Sequence, residues 1–278
     1  MVSRELLVLW DVDHTLVNAG GLSTHLYGLV FAELFGRELP QVAPMAGRTD
    51  RAIIVETLTL AGIPAPRDHV AAFIDGLTRQ APAFGERVRR RGRVLPGARE
   101  ALAALAAVTA LPAVPAVSGG DGAGVVRQSV LTGNIRPLAE VKLSALGLGE
   151  PLDLSIGAYG DTHEVRAELV RVARDRAAAA AGPGSAGDFE GEATVLVGDT
   201  PLDVAAALAT GARAVGVATG GFSEADLADA GAHAVLPDLT DVSRVRAAIL
   251  GADGGAGAGG GAGAEGGRPS GPGGGTAS

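Results

Sequence analysis

The residues best suited to chemistry are two carboxylates directly after the first apolar run of the chain. Asp11 and Asp13 follow residues 6–10, a continuous apolar stretch with the length of a buried strand. Alternate residues of an extended chain point to the same side, so the two side chains are expected to project together. Because carboxylates this close repel each other, they favour a bound cation or one protonated member. A hard cation such as Mg²⁺ binds one or two carboxylates and often bridges them to a phosphate group.

A second acidic group follows a later apolar run. Residues 193–197 lead into the sequence GDTPLD at 198–203, which carries Asp199 and Asp203. Its glycine permits close backbone approach, and its proline suits the first turn of a helix. Open α/β sheets bind ligands at the carboxyl ends of their strands, so two adjacent strands would bring Asp11, Asp13 and Asp199 around one cation. A turn in which aspartates only cap the chain would account for the first group, but not for the recurrence of the pattern.

These acidic groups require a sheet whose strands are connected by helices. Further apolar runs of strand length lie at residues 125–131, 154–159, 213–217 and 232–236. Between the runs, apolar residues recur at three- and four-residue spacing over residues 136–146 and 164–181, and residues 201–210 are rich in alanine and leucine. This alternation predicts right-handed crossovers and a doubly wound α/β domain.

One long segment interrupts the alternation. Residues 17–94 show little strand pattern, and helices are predicted at residues 25–35, 50–61 and 67–80, before a further helix at 98–108. We therefore predict a Rossmann-like parallel sheet core formed by residues 1–16 and 95–250, with an inserted α-helical cap subdomain at residues 17–94. Residues 251–278 carry 14 of the 43 glycines and are expected to form a disordered tail.

Composition excludes several classes of protein. The 31 acidic residues outnumber the 23 basic ones, and the net charge of −8 argues against a general binder of nucleic acid or anionic membranes. The basic run at residues 87–93 is more typical of a solvated linker. There is no cysteine, which excludes disulfides, thiolate metal sites and cysteine nucleophiles. The chain shows no secretory signal, and prolines interrupt the apolar stretch at 101–117, which is shorter than the roughly 20 residues of a membrane span. A cytoplasmic location without membrane contact is expected.

The two acidic groups together resemble the motifs of the haloacid dehalogenase superfamily, in particular its phosphoglycolate phosphatase-like branch. An apolar strand followed by Asp-x-Asp-x-Thr matches residues 6–15, and a strand followed by Gly-Asp-x-x-x-Asp matches residues 195–203. The resemblance covers about residues 5–248. It implies a Mg²⁺-dependent phosphomonoester hydrolase that acts on a small phosphorylated metabolite through an aspartyl-phosphate intermediate. A phosphomutase similar to β-phosphoglucomutase shares these core residues, and an inactive binding protein on the same fold is a weaker alternative.

The resemblance also implies a role for each acidic residue. Asp11 would be the nucleophile, and Asp13 would protonate the leaving oxygen and then deprotonate the attacking water. Asp11, Asp199 and the main-chain carbonyl of Asp13 would hold Mg²⁺, with Asp203 nearby or an occasional ligand. His14 stands where the family often has a small residue, and it is expected to be an exposed loop residue.

Thr132 and Gly133 are the predicted binding site for the phosphoryl oxygens. They follow residues 125–131, and the run from Thr132 to Pro137 resembles the family's second motif, in which a hydroxyl and the next amide hold phosphate. Ser118 ends a run of similar pattern. We prefer Thr132, because the loop around Ser118 is too rich in glycine to position a ligand.

Three basic residues compete for contacts with anionic groups. Arg166 fits the third motif of the family in order and spacing, and is the predicted cation of the phosphate site. Lys142, the only lysine of the chain, is the competitor; its helix is expected to lead away from the strand ends, which favours a structural role. Arg48, in a segment that resembles a substrate-side turn of helical-capped relatives, either meets a second anionic group of the substrate or is solvated.

Overall fold

The computed structural model of this chain describes residues 5–108, 125–181 and 189–251. Ser118, the predicted tail beyond Gly251 and the second half of the apolar stretch at 101–117 lie outside these ranges. Within them, no helix is long and apolar enough to span a membrane.

A six-stranded parallel sheet forms the centre of the described chain. Its strands are β1 (Glu5–Trp10), β4 (Val125–Thr132), β5 (Ala158–Tyr159), β6 (Thr194–Gly198), β7 (Arg213–Val217) and β8 (Ala234–Leu236). They lie in the order β5-β4-β1-β6-β7-β8, so β1 is flanked by β4 and β6. The strand order reverses beside β1, and such a switch point opens a crevice at the carboxyl ends of the neighbouring strands. The predicted α/β fold is confirmed.

Strand β1 is apolar throughout because helices cover both faces of the sheet. Leu7 and Leu9 join one buried cluster, whereas Val8 and Trp10 join the other. The first cluster includes residues of α6 (Arg166–Ala181), α7 (Pro201–Leu208) and α8 (Glu224–Asp229). The second includes residues of α4 (Ala98–Ala106), α5 (Arg136–Ala145) and α9 (Val242–Leu250). Burial on two faces explains why a short apolar run was a sufficient signal for this strand.

The segment after β1 is helical, as the loss of strand pattern predicts. It contains α1 (Leu22–Phe35), α2 (Asp50–Leu60), a short 3₁₀ turn (Pro66–His69) and α3 (Val70–Arg91). An antiparallel pair of two-residue strands, β2 (Val17–Asn18) and β3 (Arg93–Val94), closes the base of the insertion. The three helices bury a hydrophobic cluster of their own, which also takes in Ile135 and Leu138 from the start of α5. The insertion therefore rests directly on the helix that follows β4.

Two predicted elements differ from the structure. The run at 154–159 forms a strand only at Ala158–Tyr159, because the preceding residues fold back: the Tyr159 hydroxyl donates to the Leu154 carbonyl. The basic run at 87–93 is not a linker, since α3 continues to Arg91 despite Pro82. Apolar side chains of α3 stay buried on one face as far as Val88, and this packing outweighs the hydrogen bond that the proline removes.

Candidate active site

A cavity of about 220 Å³ lies between the carboxyl ends of the central strands and the helical insertion. Its lining from the sheet side and following helices includes Asp11, Asp13, Thr132, Gly133, Arg166 and Asp199. Its lining from the insertion includes Ser23, Tyr27, Met45, Arg48, Asp50 and Ile53. The structure thus brings predicted site residues from three strand ends together beneath the helical insertion.

Three buried carboxylates form the acidic centre of this site. One oxygen each of Asp11, Asp199 and Asp203 lies within 4.8 Å of the other two. Asp11 is fixed by the sheet, because its amide still donates to the Val197 carbonyl on β6 (2.8 Å). The Thr15 hydroxyl approaches Asp199 Oδ1 at 3.4 Å. The predicted meeting of carboxylates that follow β1 and β6 is therefore observed, but the third member of the cluster is Asp203 instead of the predicted Asp13.

Burial and mutual repulsion alter the acidity of this cluster. Burial raises the pKa of Asp11 to about 7. The charge of Arg166 opposes this shift, whereas the charges of Asp203 and Asp13 add to it. Burial and the charges of Asp11 and Asp203 raise the pKa of Asp199 to about 8. Among the described residues, Arg166 is the cation in contact with this cluster, and it touches Asp11 and Asp203 but not Asp199. A divalent cation therefore fits the donor set and would neutralise the remaining charge.

Asp203 is held by hydrogen bonds at the start of α7 and by an ion pair with Arg166. Its Oδ2 accepts hydrogen bonds from the Thr200 amide (3.1 Å) and hydroxyl (2.6 Å) at the start of α7. Its Oδ1 lies 2.5 Å from Arg166 Nη2. A Cβ atom at Gly198 would lie 2.6 Å from Asp203 Oδ2, so the predicted need for glycine at that position has a steric basis.

Arg166 stands at the strand ends, where the sequence predicts it. It is the first residue of α6, and its Nη2 lies 3.0 Å from Asp11 Oδ1 as well as close to Asp203. The same guanidinium donates to the carbonyls of Leu131 (3.3 Å) and Gly47 (3.4 Å). Although burial disfavours its charge, the two carboxylates raise the pKa of Arg166 above its ordinary value.

The expectation that Lys142 lies away from the carboxylates is wrong. Its ammonium Nζ lies 2.6 Å from Asp13 Oδ2, and the side chain is fully buried. Side chains on a helix lean toward its N-terminus, and α5 begins beside the strand ends. A long lysine side chain on the second turn therefore reaches back to the site from which its helix departs.

The pKa of Asp13 shifts in the opposite direction to that of Asp11. Burial alone would raise its pKa, but the charge of Lys142 and the hydrogen bonds from Lys142 and Asn134 outweigh it and lower the pKa below its usual value. Its neighbour His14 is exposed, as expected, and adopts a left-handed backbone conformation with φ 60°. The two carboxylates that alternate along one strand end thus lie in different electrostatic environments.

The turn after β4 connects the predicted phosphate site to Asp13. The buried Thr132 hydroxyl accepts hydrogen bonds from the Asn134 side-chain amide (2.7 Å) and main-chain amide (3.3 Å). The same side-chain amide of Asn134 donates to Asp13 Oδ2 at 2.8 Å. The sequence motif contained Asn134 without assigning it a role; its place two residues after Thr132 was the available signal.

The insertion touches the site through the start of α2. Arg48 lines the cavity but is paired with Glu56 (2.5 Å) and donates to the Pro44 carbonyl (3.1 Å). Asp50 binds the core: its amide donates to Gly133, and its Oδ2 accepts from the Ile135 amide (2.7 Å for each). Arg48 is therefore a partly exposed, ion-paired residue at the edge of the cavity.

Two further contributors were missed by sequence reasoning. Tyr27 donates a 2.5 Å hydrogen bond to Asp50 Oδ1, and burial raises the pKa of Asp50 to about 6. A Cβ atom at Gly220 would lie 1.8 Å from Asp199 Oδ2, so that loop can approach the carboxylate only with glycine there. Neither position belongs to a motif with local spacing, and only the fold brings them to the site.

Gly133→Ala is expected to disturb both the site and the packing of the helical insertion against it. A Cβ at Gly133 would lie 1.9 Å from the Arg48 carbonyl oxygen, so the insertion must move away from the core. We expect a loss of about 1–3 kcal/mol in the free energy of unfolding, the usual cost of overpacking, together with reduced turnover. Chemical denaturation measures the first. Gly28→Ala is the matched control: beyond the backbone of its own helix, no atom of the described residues lies within 4 Å of the added Cβ, and a stabilisation of up to about 1 kcal/mol is expected in this helix interior. Similar unfolding free energies for Gly133→Ala and Gly28→Ala would contradict the tight contact.

Comparisons with known proteins agree with this arrangement. A family model described as haloacid dehalogenase-like hydrolase matches residues 8–208. Comparison with curated proteins gives no match. Among solved structures, a protein described as a predicted phosphatase from Clostridium acetobutylicum is similar with a TM-score of 0.59 and 18% identity, covering 90% of this chain and 100% of that one. A hydrolase from Pseudomonas syringae gives 0.57 and 18%, with coverages of 86% and 96%. A provisionally assigned β-phosphoglucomutase from Bacteroides vulgatus gives 0.55 and 17%, with 90% of each chain covered.

Proposed function

The chain belongs to the haloacid dehalogenase-like hydrolase family, and on that premise we propose that it is a Mg²⁺-dependent phosphomonoester hydrolase. One observation carries the proposal: Asp11 and Asp13 leave the same strand end toward one cavity, but Asp11 contacts Arg166 whereas Asp13 contacts Lys142. The two carboxylates therefore have different cationic partners, as expected where one is the nucleophile and the other the proton carrier, and a bound cation would stabilise the charge that Asp11 needs for attack.

Hydrolysis would proceed in two steps on these residues. Asp11 attacks phosphorus while Asp13 gives a proton to the leaving oxygen, which produces an aspartyl-phosphate and a free alcohol. Water then attacks the phosphorus and gives a proton to Asp13, and the bond to Asp11 breaks. Each turnover therefore returns Asp13 to its protonated state. Thr132, Gly133 and Arg166 would hold the phosphoryl oxygens.

The acidic centre would hold the cation. Asp11, Asp199 and the main-chain carbonyl of Asp13 are the proposed ligands of Mg²⁺, with Asp203 close by through its contact with Arg166. When bound, the cation neutralises phosphate charge, so that an anionic nucleophile can approach an anionic ester.

The substrate is proposed to be a small phosphorylated metabolite. The cavity of about 220 Å³ limits the size of the leaving group, and Arg48 is placed to meet a second anionic group if it exchanges its partner Glu56. A screen of phosphorylated metabolites with Mg²⁺, read as released inorganic phosphate, tests the proposal. Absence of release from every ester would reject it.

A phosphomutase is the second candidate, because two structural neighbours are provisionally assigned as β-phosphoglucomutases. Sustained release of inorganic phosphate without a bisphosphate activator favours the hydrolase, whereas isomerisation that depends on the activator favours the mutase. A binding protein without activity is less favoured, since all four carboxylates of the motifs are present and three of them cluster.

Metal-free protein is expected to lose stability as the pH rises. The pKa is raised to about 7 for Asp11 and about 8 for Asp199, whereas both groups titrate near 4 in an unfolded chain. Between these limits the folded state binds more protons, so the free energy of unfolding falls as the pH increases. A divalent cation offsets the same repulsion. Mg²⁺ is therefore expected to raise the unfolding temperature more above pH 8 than below pH 6, and chelation to abolish turnover.

Differential scanning fluorimetry of chelator-treated protein, with and without MgCl₂ at each pH, measures this effect. Asp199→Asn is the control variant and should lose most of the Mg²⁺-dependent shift. An equal shift at both pH values, or none, would argue against the proposed cation site.

A further inference from the structure

We propose that Lys142 and Asn134 clamp one carboxylate oxygen of Asp13 and thereby reserve its other oxygen for proton transfer. Lys142 Nζ and Asn134 Nδ2 lie 2.6 Å and 2.8 Å from Asp13 Oδ2. Within the described part of the chain, Oδ1 of Asp13 accepts no hydrogen bond. The inference rests on the proposed hydrolase function and gives Lys142 a positioning role within it.

The burial of Lys142 makes this contact rigid. The ammonium group has three donors, and each has a partner: Asp13 Oδ2, Asn134 Oδ1 at 2.6 Å and Ser23 Oγ at 3.4 Å. A buried charge is tolerated when its hydrogen bonds are filled, and it then resists displacement by water. The same lysine also lies 5.7 Å from the ring centre of Phe84. Groups from the core and from the insertion therefore hold the lysine in a single place.

Asn134 extends the clamp to the phosphate side. Its Oδ1 accepts from Lys142, while its Nδ2 donates to both Asp13 and Thr132. The amide thus sets the spacing between the proposed proton carrier and the proposed phosphate-binding hydroxyl. Proton transfer needs a donor oxygen within hydrogen-bond reach of the leaving oxygen, so this spacing decides whether Asp13 can act.

Arg166 and Lys142, the two buried cations of the site, consequently act on different bonds of the reaction. Arg166 contacts the nucleophile Asp11, and its loss should affect formation of the bond to phosphorus for every ester. Of the aspartates Asp11 and Asp13, Lys142 contacts Asp13, the proton carrier, and its loss should affect departure of the leaving group. In the first step the bond between phosphorus and the leaving oxygen breaks as the proton moves from Asp13 Oδ1 to that oxygen. An alkoxide needs this proton, whereas a 2,4-dinitrophenolate ion departs without it.

The test compares two esters in the Lys142→Met variant. The kcat/KM ratio reports on steps up to departure of the leaving group, so a slower second step does not affect it. For the best alkyl phosphomonoester of the screen, kcat/KM is expected to fall about a hundredfold, within the contribution of a positioned acid–base group. For 2,4-dinitrophenyl phosphate it should stay within severalfold of wild type. The aryl ester should also give a burst of one equivalent of phenolate, because water attack on the intermediate needs Asp13 as well.

Two controls separate positioning from folding. Arg136→Met removes an exposed cation of the same helix that pairs with Glu140, and it should leave both esters unchanged. The chain has no cysteine, so Lys142→Cys can be unfolded, alkylated at that position alone and refolded. Alkylation with 2-bromoethylamine restores a lysine-like ammonium and should recover alkyl ester hydrolysis, whereas 1-iodopropane gives a neutral isostere and should not.

Each outcome bears on the proposal. Selective loss of alkyl ester hydrolysis, with recovery only by the ammonium form, supports the clamp. Equal losses on both esters, recovery by the neutral form or no loss in Lys142→Met would overturn it. Wild-type protein that hydrolyses neither ester rejects the hydrolase function itself, which is a separate result from failure of the clamp.

Discussion

Asp11→Asn is expected to reduce turnover of every phosphomonoester to the background rate. The amide is a poor nucleophile and a weaker ligand for a hard cation, so both proposed functions of the side chain disappear together. Burial and the neighbouring carboxylates raise the pKa of Asp11, which means that its charge is costly in the metal-free fold. The variant is therefore expected to unfold at no lower temperature than wild type at pH 8. Loss of activity with retained stability is the combination that identifies a reacting group.

The measurement is phosphate release together with thermal unfolding of both proteins. Asp13→Asn is the informative partner, since it should impair alkyl esters while it still allows an aryl ester to phosphorylate Asp11. Acid quenching should then trap a phosphorylated protein in Asp13→Asn but none in Asp11→Asn. Substantial turnover by purified Asp11→Asn would reject the aspartyl-phosphate mechanism.

Strand ends were the part of the site that the sequence predicted best. A run buried on both faces is continuously apolar, so the place where it ends is visible, and the residues after it must lie at one edge of the sheet. Asp11 and Asp199 follow two such runs, and β1 and β6 prove to be neighbours. Membership of the hydrolase family, inferred from these two motifs, is confirmed by the family match over residues 8–208.

Side-chain direction was the part that sequence spacing could not provide. Lys142 lies ten residues beyond Thr132, and distance along the chain suggested distance in space. The helix carries its backbone away from the strand ends, while its side chain returns to Asp13. Sequence spacing could not predict the close approach of Gly220 to Asp199 either, because that approach depends on how a distant loop crosses the sheet edge.

Element boundaries failed where tertiary packing overrode local preference. The helix predicted at residues 67–80 ended too early, because buried contacts of Phe84 and Val88 extend α3 past Pro82 to Arg91. Arginines in a last helical turn also interact favourably with the helix dipole, so the basic run has a structural role.

Arg166→Met is expected to lower kcat/KM by a hundredfold or more for alkyl and aryl esters alike. The guanidinium lies 3.0 Å from Asp11 and 2.5 Å from Asp203, at the N-terminus of α6, where a helix favours bound anions. Without it, Asp11 and Asp203 face each other and an incoming phosphoryl group with no touching cation from the described chain. A hundredfold corresponds to about 2.7 kcal/mol of transition-state stabilisation, which is within the range for one preorganised charged donor.

Comparison with Lys142→Met assigns the two cations. Arg166 acts on phosphorus and its nucleophile, so its loss should not depend on whether the leaving group needs a proton, in contrast to the loss of Lys142. Arg171→Met is the control within the same helix, because that arginine is exposed and pairs with Glu168, and its loss should leave kcat/KM unchanged. Arg166→Lys should recover part of the activity, since a single ammonium cannot span both Asp11 and Asp203 as the guanidinium does. If Arg166→Met spared the aryl ester while Lys142→Met slowed both esters, the assignments would have to be exchanged, and Lys142 would be the cation that holds the phosphoryl group.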